Sequence, residues 1–113
     1  MKKTIPIIGL FVIILFHSCL ISNPKPEECS VGEVKIVKIT EGSSYDIVFH
    51  SSDGDRFYIN RGLQQGLNLD SLNAEVLNKT VTLHLARMLQ GTITSEHIAQ
   101  LAIGDKIIYT EFE

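Results

Sequence analysis

The 113-residue chain reads as mainly β with one helix, in the order β-β-β-α-β-β. Three observations lead there. Apolar and polar residues alternate through 33–40 and again through 80–86. An Asp-Gly turn signal joins two further alternating runs within 45–60. Between them, in 69–77, the apolar spacing changes from two to about 3.6 residues, the period of a helix.

Taken in order, EVKIVKIT (33–40) is β-branched and alternating, a first strand. YDIVFH (45–50) puts Tyr45, Ile47 and Phe49 on one face and Asp46 and His50 on the other. SSDGD follows, and Asp53-Gly54 predicts a type I′ hairpin turn, whose two central residues both need positive φ. RFYIN (56–60) returns with Phe57 and Ile59 inward and Arg56, Tyr58 and Asn60 outward. Leu69, Leu72, Val76 and Leu77 then share one helical face. Asn68 or Asp70 caps the start of that helix, and Asn78-Lys79 suits its end. TVTLHLA (80–86) points Val81, Leu83 and Leu85 inward, and a last β segment runs on from His97 and bends at Gly104-Asp105.

This order, with the helix between the third and fourth strands, resembles the OB-fold, a five-stranded Greek-key barrel. The resemblance implies a barrel over residues 33–113. It also implies a ligand face on the outer side of strands two and three. That face carries Asp46, His50, Arg56, Tyr58 and Asn60, with Arg61 next to it; a Tyr beside an Arg offers stacking and hydrogen bonds to a small polar ligand, a sugar or a protein loop. A small sandwich is the all-β alternative.

The N-terminus has a different character. Lys2 and Lys3 precede a 12-residue apolar run, 5–16, the layout of a secretory signal and short of the roughly 20 residues a membrane span needs. LFHSC (15–19) resembles the lipobox of bacterial lipoproteins, with Ser18 before Cys19 and Phe16 where the pattern prefers Leu. The resemblance implies a signal peptide over 1–18, acylation of Cys19 and a tether over 19–32, where Pro24 and Pro26 favour extended backbone. A single N-terminal transmembrane anchor is the alternative. With FYINRG (57–62) in such a chain, the protein is similar to small uncharacterised bacterial exported lipoproteins, which implies a membrane-anchored, exported domain in the bacterial cell envelope. Cys29 then has no intramolecular partner.

Several chemistries are disfavoured. Without Lys2 and Lys3 the chain keeps 8 basic against 13 acidic residues, net about −5, which argues against nucleic acid. Gly62 and Gly66 in FYINRGLQQGLNLDSL match neither phosphate-loop pattern, so this stretch is expected to be a connector, with Leu63 and Leu67 filling the end of the core. His50 and His84, on strands flanking the first, are expected to be surface histidines and not zinc ligands. Neither a nucleophile elbow nor a Cys–His pair is present, and no cofactor is implied. The expectation is a non-catalytic binding module, with an accessory or scaffold subunit of an envelope complex as the alternative.

Overall fold

The computed structural model describes residues 25–88 and 93–112. The expected signal peptide and Cys19 lie outside the described residues, within which no helix is long and apolar enough to cross a membrane. The chain forms β1 (Cys29–Glu41), β2 (Ile47–Ser51), β3 (Arg56–Ile59), α1 (Leu69–Val76), β4 (Thr80–Met88), β5 (Ile93–Ile103) and β6 (Lys106–Thr110). Three short 3-10 turns, Pro26–Glu28, Ser43–Tyr45 and Gly62–Gln65, complete it.

β1 serves both halves of the sheet. Its first part pairs antiparallel with β4, from Cys29 opposite Ala86 to Lys35 opposite Thr80. From Ile36, opposite Ser51, it pairs with β2 instead, and a bulge between Ile36 and Lys38 follows the change. β2 pairs with β3, β3 meets β5 in parallel at Tyr58–His97, and β5 pairs with β4. The circuit β1-β2-β3-β5-β4-β1 is therefore a closed, mixed five-stranded barrel, OB-fold-like, with the helix between the third and fourth strands. The expected bent fifth segment resolves into a hairpin. Gly104, at φ 56, starts a two-residue turn that lays β6 along β5.

Inward alternation fills the barrel with Ile36, Ile47, Phe49, Ile59, Val81, Leu83, Ile98 and Leu101, all fully buried. Leu72 and Val76 of α1 join that core, and Leu63, Leu67 and Leu69 pack against it. The helix starts where the Asn68 side chain accepts the Ser71 N–H at 3.0 Å. It stops where Asn78 turns to φ 64.

Some local expectations are corrected. Only Gly54 has positive φ in the β2–β3 turn, so the connection is not type I′. Ser51 N–H donates to Asp55 O and Gly54 N–H to Ser51 O, leaving a three-residue loop with glycine in the left-handed position. Tyr45 is not an inward strand residue: it sits in the Ser43–Tyr45 turn at φ 67 and is 55% exposed. Leu85 is half-buried because bulges flank it where β4 meets β5. β1 starts at Cys29 and not Glu33, and β5 at Ile93 and not His97, because each extension finds a ladder partner, Ala86 and Met88 respectively.

Candidate functional site

The register fixes which side chains share the outer face of β2 and β3. Val48 stands opposite Tyr58 and His50 opposite Arg56, while Phe49 and Phe57 pair on the buried side. A groove of ≈ 240 Å³ opens on that outer face. Val48, Arg56 and Tyr58 line it together with Asp46, Gly42, Ser43 and, from β5, Glu96.

The loop forming one wall is held tightly. Gly42 N–H donates to Asp46 O at 2.8 Å, and a Cβ on Gly42 would come within 2.8 Å of Val48 Cγ2. Ser44 and Tyr45 are both left-handed, at φ 54 and 67. Two consecutive non-glycine residues in that region cost of order 1–3 kcal/mol each, so the surrounding structure must impose the shape. Asp46 is fixed from the far side, its Oδ1 accepting the Arg61 N–H at 2.8 Å.

The polar groups differ in how far they are committed. The two ion pairs among the described residues are His97–Glu111 and Lys106–Glu75, so Arg56, which lines the groove, has no carboxylate partner among those residues. The Tyr58 ring is half-buried and meets the His97 ring edge-on, centroids 5.6 Å apart. Burial first, and then the carboxylates of Asp46, Glu96 and Glu111, push the Tyr58 phenol up from its ordinary value. It remains protonated at neutral pH, able to donate as well as accept.

Behind Tyr58 lies a polar chain that runs from the buried His97 out to the exposed Gln65. His97 Nε2 and Glu111 Oε1 are 2.8 Å apart, and the Tyr109 hydroxyl donates to Glu111 Oε2 at 2.5 Å. Gln65 Nε2 reaches Tyr109 Oη at 3.4 Å and Asn60 O at 2.7 Å. Burial and the bond to Glu111 push the Tyr109 phenol well above its ordinary range.

Of the residues expected at the ligand face, Asp46, Arg56 and Tyr58 line the groove and His50, Asn60 and Arg61 do not. His50 bonds Thr40 Oγ1 at 3.1 Å. Asn60 contributes its carbonyl to Gln65, and Arg61, at φ 51, its N–H to Asp46. Glu96 and the Gly42–Ser43 wall were not legible, since Glu96 sits on a strand extension that only its partner β4 reveals. His50 and His84 stand opposite Lys38 and Val31 of β1, seven residues or about 23 Å of strand apart. Gly62 is a packing residue: a Cβ there would lie 2.7 Å from Ile47 Cδ1. The turn it begins is the connector into α1. Comparison with protein-family models, curated proteins and solved structures finds no match to this chain.

Proposed function

We propose that the chain is an exported, membrane-anchored binding module that holds its ligand in the β2–β3 groove and catalyses no reaction. The observation that carries this is Arg56, a guanidinium without a carboxylate partner among the described residues, placed beside a neutral, hydrogen-bonding Tyr58 in a groove with an imposed shape. Free donors next to an aromatic ring suit a small polar ligand or a protein loop. Among the described residues no histidine or cysteine lines the groove to activate the Ser43 hydroxyl, which favours binding over nucleophilic catalysis. The exposed Tyr45, which lies in the chain between the groove residues Ser43 and Asp46, extends the surface beyond a small ligand and favours the second reading, an accessory subunit docked on an envelope protein.

The anchor is Cys19, through acylation, or else the apolar segment from Ile5 stretched through His17, Ser18 and Cys19 to Ile21. Crosslinking in intact membranes, followed by recovery of the chain, tests the module. Arg56→Glu is expected to lower partner recovery at least fivefold, while Arg61→Ala, outside the groove, leaves it unchanged. Equal recovery for wild type and Arg56→Glu would remove the groove as the site. Mass spectrometry of the mature N-terminus tests the anchor, with a diacylated or triacylated Cys19 as the expected species.

A further inference from the structure

The described chain begins against one particular place on the barrel. Arg87, near the end of β4, donates from Nε to Glu28 O at 3.2 Å and from Nη2 to Glu27 O at 2.7 Å. Cys29 Sγ contacts Lys25 O at 3.5 Å, and Cys29 itself is buried opposite Ala86. The Pro26–Glu28 turn is thereby pinned to the end of the β4–β5 hairpin, and the preceding chain leaves from there. At that end Met88 and Ile93 stand opposite each other in the ladder, 40% and 48% exposed.

The tether is short. From Cys19 to Lys25 there are six Cα steps, so even fully extended chain reaches only about 20 Å. A transmembrane anchor ending near residue 21 leaves less. Either anchor holds the Lys25 end of the domain close to the bilayer, and the hairpin end with it. Charge supplies little attraction there, because Lys25 and Arg87 are matched by Glu27 and Glu28. What the hairpin end offers a bilayer is aliphatic surface.

We propose that the Met88–Ile93 end of the β4–β5 hairpin faces the bilayer and inserts these two side chains into its interface. This rests on the membrane-anchored reading above and adds an orientation to it. One consequence concerns the groove. Glu96 is three residues along β5 from Ile93, about 10 Å, so the groove opens close to the membrane surface and its ligand is met there.

The test uses the full chain, anchor included, purified from membranes and reconstituted in phosphatidylethanolamine–phosphatidylglycerol vesicles with brominated acyl chains. A fluorophore is attached at Ile93→Cys or, as control, at Ile107→Cys. Ile107 is 55% exposed and lies opposite Ala102, about 30 Å along β5 from Ile93. Both sites are exposed, so the substitutions leave the core intact. Bromolipid quenching at position 93 is expected to exceed that at 107 at least twofold, and Met88→Cys is expected to behave as Ile93→Cys. Vesicles that float with the chain but quench both positions equally, or neither, overturn the orientation and leave the anchor standing. Protection of position 93 by a second copy or another protein, without bromolipid quenching, overturns it as well. A chain that does not float with vesicles overturns the anchor and the orientation together.

Discussion

His97 and Glu111 meet at 2.8 Å on the edge of β5, where that strand's neighbour changes from β3 to β6. The barrel closes there through a single ladder pair, Tyr58–His97. Backbone pairing is sparse at this seam, and side chains make up for it. Glu111 N–H donates to Ala99 O at 2.8 Å, which holds its carboxylate between the His97 ring and the Tyr109 hydroxyl. The seam is thus held by a C-terminal residue that belongs to no strand of the barrel.

Glu111→Ala removes the common acceptor of two buried groups, His97 at 5% and Tyr109 at 7% exposure. Leaving buried polar groups unpaired costs about 1–3 kcal/mol. The unfolding midpoint in urea is expected to fall accordingly, with Glu111→Gln recovering part of the loss because an amide oxygen still accepts. A midpoint unchanged in Glu111→Ala would show that water replaces the carboxylate and that the seam does not depend on it.

Alkaline pH should destabilise the fold. Burial pushes up the Cys29 thiol, aided by Glu28, and burial likewise raises the phenols of Tyr58 and Tyr109. A raised folded value means that the native chain keeps a proton that the unfolded chain loses. This contribution to stability is fully present below the unfolded values, near 9 for the thiol and 10 for the phenols. It is lost progressively as pH rises toward the folded ones. For buried Tyr109 the slope approaches about 1.4 kcal/mol per pH unit above pH 10. Urea midpoints measured from pH 8 to 11 should be flat at first and then decline, and Tyr109→Phe should flatten the decline. A midpoint level through pH 11 would contradict the burial of the Tyr109 phenol.

Leu72 is 2% exposed and belongs to the same core cluster as the barrel residues. Leu72→Ala is expected to cost about 2–5 kcal/mol, the range for a buried leucine whose site does not collapse. Asp70→Ala, on the exposed face of the same helix, should leave stability within about 0.5 kcal/mol. Similar small losses in both variants would mean that α1 packs loosely on the barrel.

What the sequence made legible follows from where its signals are local. Alternation in 33–40, 45–60 and 80–86 and helical spacing in 69–77 are properties of neighbouring residues, and they yield the barrel order. Cys29–Gly32 and 93–96 lack strong alternation and are strands because of what lies beside them. Ser51 and Gly54 close a three-residue loop because β2 and β3 are in the register that pairs His50 with Arg56. The site divides in the same way. Arg56 and Tyr58 follow from the alternation of their own strand, whereas Glu96 reaches the groove only through barrel closure. The link from His97 to Glu111 spans 14 residues and a hairpin, and no spacing rule in the chain encodes it.

Arg56 and Tyr58 should separate when stability and binding are measured side by side. The Arg56 side chain is exposed and without a carboxylate partner among the described residues, so Arg56→Ala is expected to leave the unfolding midpoint unchanged. Tyr58 stands on the seam itself, opposite Val48 on one side and His97 on the other. Its half-buried ring and its edge-on contact with His97 together make Tyr58→Ala costly by about 1–2 kcal/mol. Tyr58→Phe keeps both the area and the edge contact and loses only the hydroxyl, so it should unfold with the wild type. If the groove binds its ligand through that hydroxyl, Tyr58→Phe lowers partner recovery without lowering stability, and Arg56→Ala does the same. Recovery that tracks stability across all three variants would mean that the residues support the barrel and do not touch the ligand.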